Sequence, residues 1–568
     1  MDAGEDERGR QVRPRLLRAA GLAPPLLAAT LAVAPSAHAA APTTGRLVVE
    51  VRPGAGHHER VSASALARSA QARLAGFSVR QLRLVTLRPR PGTSLRSLAA
   101  RLRGDPRVAR VEVEHRASLR LQPNDPALTT PEAATGTAPG TPVEWWAARS
   151  NFPAAWDVST GAGAVVAVID TGAETSHPEL ADRVLAARSF DSARTSATTD
   201  TVGHGTHVAS LACGAGNNGI GLAGAGLRCQ KLILKSDFSD SSVAAAIVWA
   251  VGHGADAITM SFGTDPGTQP SQAVRDAVDY AYDHGVVMAA AAADSAISEQ
   301  GYPANLLQPT GTGASLTHNK GLSITAADAL DRRAAFAGLG SQISLAAYGA
   351  YDPAGVGPPG IFGAFTAGPN ELETGSPGVP PRPPCGCRTT FASDPRYAYV
   401  QGTSMATPMV AATGALIRHL NPDLGVAEIV RVIKETARRP AGSGWNADLG
   451  WGILDAGAAL ARAAATDRRA PASRVAKLAA RTGKPRITVR WKGADTSPAG
   501  VRASGISRYE LWRSTDGGRF HRLYSTTRTS RRVTLRRGAR YAFYTVATDH
   551  AGNRERAPKH PDARVTRR

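Results

Sequence analysis

Four cysteines in 568 residues are too few for a disulfide-stapled scaffold. Lysine is scarce as well, supplying eight of the 67 basic side chains. No run of apolar residues reaches the length of a membrane-spanning helix. The rest is globular composition, with 42% hydrophobic and 20% charged residues, which excludes a disordered polyelectrolyte and an integral membrane protein. The length predicts about three or four domains.

A formal net charge of +21 raises the question of a nucleic-acid partner, and its distribution answers it. Residues 41–122 carry 16 basic and 5 acidic side chains (+11), residues 123–466 carry 20 and 30 (−10), and residues 467–568 carry 26 and 7 (+19). The largest segment is therefore acidic. The preference for arginine fits an arginine-rich genome better than selection for phosphate contacts, so nucleic acid is not the expected partner.

Residues 1–39 read as an export signal: Arg8, Arg10, Arg13, Arg15 and Arg18 precede an apolar run from Ala19 to Ala34 and the small-residue site Ala37-His38-Ala39. The run is too short and too broken by Pro24 and Pro25 for an anchor, so the expected product is secreted. Residues 40–121 alternate as a small α+β unit, with amphipathic stretches around Ala63–Leu74 and Leu95–Arg103. Residues 122–143 form a Pro/Thr/Gly linker. From 144 to 466, apolar strands such as "GAVVAVID", "GADAITMSFG" and "GVVMAAAAA" alternate with helices, which predicts an α/β fold with a mostly parallel sheet covered on both faces. Residues 349–396 interrupt that pattern as a Pro/Gly-rich insertion. Short period-two strands over 467–568 predict a C-terminal β-sandwich.

Three segments of the α/β region carry chemistry. "VVAVIDTG" places Asp170 at the carboxyl end of a buried strand, where open α/β sheets hold ligands and catalysts. A second Asp-Thr-Gly, which a two-carboxylate protease needs, is absent. "GHGTHVASLACG" puts His204 at a helix start among glycines; His207 three residues on lacks an acidic partner at the spacing zinc hydrolases use. "GTSMATPMVAA" puts Ser404 at the start of a long apolar helix, where a free backbone N–H and the positive helix end can stabilise an oxyanion.

Asp, His and Ser in this chain order, each flanked by glycine, resemble the subtilisin-like serine proteases, the subtilases. "NNGIGLAGAG", "GADAITMSFG" and "GWGILDAGAAL" extend the likeness over residues 124–462. The resemblance implies a serine endopeptidase that acts on protein substrates and needs no cofactor for its chemistry, with Ser404 as nucleophile, His204 as general base and Asp170 as the carboxylate that orients it. It implies further that Ser261, Phe262 and Gly263 pair with extended substrate and wall the first specificity pocket.

At the oxyanion site the chain departs from the family. Where subtilases usually offer an Asn donor, "MAAAAADSA" offers Asp294. An ionised carboxylate only accepts, and a missing donor costs on the order of 3 kcal/mol in the transition state, a loss measured in subtilisin itself. The apolar strand end is expected to bury Asp294 and keep it protonated, with Ser295 or water as substitutes. The alternative is a catalytically weakened subtilase-fold protein that serves as a binding or adhesive surface. Met409 also differs from a frequent His of the family and lies beyond the reacting atoms.

Glu179 and Asn218 match positions that ligate a structural calcium in subtilisin, with carbonyls of Ile220 and Leu222, although the same segments occur in relatives without the metal. In an exported chain the four cysteines allow three pairings, of which Cys213 with Cys229 is expected. Cys385 and Cys387 have no His or Cys cluster for zinc. Residues 40–121 sit where subtilases carry an inhibitory propeptide, and self-cleavage is expected between His115 and Pro126. The terminal module resembles fibronectin-III-like domains, and its +19 charge makes an anionic envelope polymer its candidate partner.

Overall fold

The computed structural model describes residues 43–52, 63–76, 78–90, 92–115, 121–318, 320–352, 355–375, 384–440, 442 and 444–568. The expected export signal, and residues 116–120 of the expected cleavage segment, lie outside these. The chain divides into two compact units, Met1–Ser118 and Leu119–Arg568.

In the first unit, strands β1 (Thr43–Val51), β2 (Ala72–Leu74), β3 (Leu84–Pro89) and β4 (Val108–His115) form an antiparallel sheet in the order β2-β3-β1-β4. The helices Ala63–Ser69 and Leu95–Arg103 cover it, burying Leu66, Leu98 and Leu102 against Leu47, Val49 and Leu87. The stretch Ala63–Leu74 is not one amphipathic element. Its helix stops at Ser69, Gln71 turns the chain at φ 52°, and Ala72–Leu74 pairs with β3.

The second unit is built on seven parallel strands: β5 (Val165–Asp170), β6 (Val184–Ser189), β7 (Gln230–Lys235), β8 (Ala257–Met260), β9 (Val287–Ala291), β10 (Leu322–Ala327) and β11 (Leu345–Tyr348). Their order is β11-β10-β9-β8-β5-β7-β6. Every residue of β5 is buried, and its side chains alternate between two cores. Val166 and Val168 face the helices His204–Cys213 and Thr403–Leu420, whereas Ala167 and Ile169 face Asp240–Gly252 and Gln272–Asp283. The helices therefore lie on both faces, as the alternation predicts.

Two segments differ from their sequence reading. Residues 122–143 are not a free linker: Ala127 is fully buried, its N–H bonds the Gly221 carbonyl at 2.9 Å, and its own carbonyl accepts from Glu144. The insertion carries an antiparallel sheet of β12 (Ile361–Ala364), β13 (Arg388–Phe391) and β14 (Asp394–Val400) in the order β12-β14-β13. Phe362 stacks on Tyr397 at 5.0 Å and meets the edge of Phe391 at 5.1 Å, so aromatic packing overrides the Pro/Gly composition around it.

The C-terminal module holds β15 (Ala472–Val475), β16 (Arg481–Thr482), β17 (Arg486–Ala494), β18 (Ile506–Thr515), β19 (His521–Thr526), β20 (Ser530–Thr534), β21 (Arg540–Asp549) and β22 (Ala563–Arg567). The sheets β15-β17-β20 and β16-β22-β21-β18-β19 enclose Val489, Trp491, Leu511, Val533 and Phe543. Disulfides join Cys213 to Cys229 and Cys385 to Cys387. Among the described residues no helix is long and apolar enough to cross a membrane.

Candidate active site

Asp170 ends the central strand β5 and is buried. Its Oδ1 accepts the N–H of Thr171 at 2.8 Å and the Nδ1–H of His204 at 2.7 Å. His204 begins the helix His204–Cys213, and Gly203 enters that helix with φ 90°, a left-handed backbone that favours glycine. Gly205 is required for closeness: a Cβ there would lie 2.0 Å from the Gly172 carbonyl oxygen. Burial works against an imidazolium, but the Asp170 carboxylate beside it, with Asp200 and Asp294 adding to the field, holds the His204 pKa above its ordinary value.

Asp200 is a functional residue that sequence reasoning missed. Its Oδ1 accepts N–H groups of Val202 at 3.1 Å and Gly203 at 2.9 Å, and its Oδ2 those of Thr206 N–H and Oγ1 at 2.8 and 2.7 Å. Thr171 Oγ1 donates to Asp200 Oδ1 at 2.9 Å and accepts Gly205 N–H at 2.9 Å. One buried carboxylate thus satisfies the N-terminus of the histidine's helix and ties it to the residue after Asp170. The available signal was an Asp four residues before a histidine that opens a helix.

Ser404 is the second residue of the helix Thr403–Leu420 and is buried. Its Oγ donates to the Ser261 carbonyl at 3.0 Å, and Ser261 Oγ donates to the Ser404 carbonyl at 2.9 Å. This reciprocal pair clamps the turn that carries Ser404 to the end of β8. Phe262 turns onto Phe238, with ring centroids 4.8 Å apart, and Gly263 follows it on the strand's continuation.

The structure corrects the expectation for Asp294. The five alanines before it do not bury it; Asp294 lies past the end of β9 and is exposed. Its Oδ1 accepts the Thr403 N–H at 2.8 Å and lies 2.9 Å from Thr403 Oγ1, whose proton goes to the Ala292 carbonyl at 2.6 Å. The carboxylate holds the start of the helix that carries Ser404 as an acceptor.

Around Asn217–Ala223, the carboxylates of Glu179, Asp125 and Glu144 gather, and among the described residues none of them forms an ion pair. Glu179 Oε1 accepts Leu222 N–H and Tyr397 Oη, each at 3.0 Å. Asp125 accepts the N–H groups of Asn217 and Asn218, and Glu144 accepts that of Ala223. Glu179 Oε2 and Glu144 Oε1 are buried and unpartnered. Burial pushes the Glu179 pKa up to about 8. The Asn218 amide oxygen accepts the Ile220 N–H at 3.0 Å, and among the described residues the three carboxylates whose oxygens lie within 4.8 Å of one another are instead Asp467, Asp495 and Asp549.

His207 is structural. Its Nε2–H donates to the Ile361 carbonyl at 3.0 Å, which attaches β12 to the histidine's helix, and burial lowers its pKa to about 4.

The Subtilase family profile matches residues 161–452. The chain is 30% identical to fervidolysin of Fervidobacterium pennivorans over 321 residues, 54% of this chain and 42% of that one. It is 31% identical to subtilisin BL of Lederbergia lenta over 301 residues, 52% of this chain and 91% of that one. Among solved structures, a protease of Pseudoalteromonas arctica superposes with a TM-score of 0.46 at 27% identity, covering 60% of this chain and 99% of that one. The chain thus spans less than half the length of fervidolysin.

Proposed function

The chain belongs to the subtilase family of serine endopeptidases, and from that premise we propose that it is a secreted endopeptidase made as a zymogen, cleaving proteins through an acyl-enzyme on Ser404. The observation that carries this reading is the 2.7 Å bond from His204 Nδ1–H to the buried Asp170, which leaves Nε2 as the basic nitrogen.

In the proposed reaction, Ser404 Oγ rotates from the Ser261 carbonyl and gives its proton to His204 Nε2 as it attacks the peptide carbonyl. Asp170 stabilises the imidazolium that forms. Ser404 N–H, which has no acceptor among the described residues, and the positive end of its 18-residue helix face the developing oxyanion. His204 then protonates the leaving amine, and water repeats the sequence against the acyl-enzyme. Substrate backbone pairs with Ser261–Gly263 as an added strand.

The N-terminal unit acts as an inhibitory propeptide in this reading, its +11 charge drawn to the −10 of residues 123–466. Self-cleavage falls between His115 and Pro126. Calcium would be held by Glu179 and Asn218 with the carbonyls of Ile220 and Leu222; it would neutralise buried charge and takes no part in the chemistry. The competing reading, a non-catalytic binding protein, rests on Asp294 alone.

A fluorophosphonate probe tests the proposal. Wild type should label and Ser404→Ala should not, and in a protease-free host Ser404→Ala should keep its N-terminal unit attached. An unlabelled, correctly folded wild type would favour the binding protein.

A further inference from the structure

The three-stranded sheet of the C-terminal module exposes a basic band. Inward side chains Val475, Val489, Trp491 and Val533 fill the core, so the alternate positions point outward. Those positions hold Arg474, Arg486, Arg490, Lys492 and Arg532, all exposed. Arg474 stands directly opposite Lys492 across β15 and β17. Arg532 pairs with Thr488 and is therefore the diagonal neighbour of both Arg486 and Arg490. The charges form one band, three along β17 with Arg474 on one flanking strand and Arg532 on the other, in steps of roughly 5 to 8 Å.

Like charges placed opposite each other destabilise a sheet, and among the described residues none of these five side chains forms an ion pair, the pairs within the module being those of Arg522 and Arg554 with Glu510. The module's seven carboxylates each have a hydrogen-bond partner, and two of them, Glu555 and Asp562, hold Ser473 and Val475 on either side of Arg474. Asp467, Asp495 and Asp549 accept the N–H groups of Ser504, Gly505 and Asn553. Glu510 is taken by Arg522 and Arg554. Asp516, Glu555 and Asp562 accept those of Arg540, Ala547 and Val475.

We infer that this sheet face binds a linear phosphate-bearing polymer of the cell envelope. The guanidinium fork matches phosphate oxygens in pairs, and four of the five groups are arginine. The outward positions include no aromatic ring on which a nucleic-acid base could stack, since Trp491 is buried in the core. They include no large apolar side chain that could enter a bilayer. A flexible chain of phosphodiesters needs neither.

The test measures binding of the full chain to long-chain inorganic polyphosphate across a salt series. Log affinity should fall linearly with log salt, and Arg490→Gln with Arg532→Gln should weaken binding roughly tenfold or more while flattening the slope by about 1.5. Because that pair relieves repulsion, its unfolding temperature should not drop. Arg508→Gln with Arg564→Gln, on the five-stranded sheet, should change affinity by no more than about twofold. The inference is overturned if both pairs weaken binding equally or neither does. It is equally overturned if polygalacturonate, a single-stranded oligonucleotide or phosphatidylglycerol vesicles bind as tightly as polyphosphate.

Discussion

The carboxylate of Asp294 accepts the backbone N–H of Thr403, one residue before the proposed nucleophile Ser404, and so belongs to the scaffold of that turn. Its Oδ1 is committed to that bond, which leaves Oδ2 as the atom an amide nitrogen would replace.

Asp294→Asn should therefore keep the Thr403 anchor and add a donor. We expect kcat on a peptide substrate to rise roughly tenfold to a hundredfold with KM little changed. Asp294→Ala, which loses the anchor, should fall below wild type. Steady-state kinetics on the three proteins decide it; an Asn variant no faster than wild type would remove the assignment.

The raised His204 pKa sets the acid side of the activity profile. The base must be neutral, so kcat/KM should fall as pH drops through a value above the ordinary imidazole pKa near 6.5. Asp200→Asn removes one of the charges responsible and should move that limb to lower pH. A purely structural role for Asp200 would lower stability and leave the limb in place.

Calcium should raise the unfolding temperature of wild type in a titration against a chelator. Glu179→Gln, which keeps an acceptor for Leu222 and Tyr397, should abolish that response and retain activity at low temperature. A wild type indifferent to calcium would sink the metal reading.

The Cys213–Cys229 bond ties the last residue of the histidine's helix to a partner 16 positions on, closing the loop that carries Asn217–Ala223. Cys213→Ala with Cys229→Ala should lower stability by about 3 kcal/mol. Chemical unfolding with and without reductant measures this, and an unchanged midpoint would contradict it.

Much of this site can be read in the chain because its residues stand at ends of regular elements: Asp170 closes an apolar strand, and His204 and Ser404 open helices beside glycine. What could not be read depends on contacts between distant segments. Five alanines look like burial for Asp294, but the strand ends at Ala291 and the next bond partner is Thr403, over a hundred residues away. Asp200 lies in a polar loop whose purpose emerges only when Thr171 and Thr206 close around it. Pro and Gly masked β12–β14, which aromatic packing holds together.

The bond from His207 to the Ile361 carbonyl bears on any attempt to shorten the protein. With its pKa near 4, His207 stays neutral across the working range, so the attachment does not loosen with acidity. Excising residues 349–396 would cut away that carbonyl and expose one side of the helix that opens on His204. The insertion is a buttress for the helix that opens on His204, and on the proposed mechanism a truncated chain should lose catalysis together with the loop.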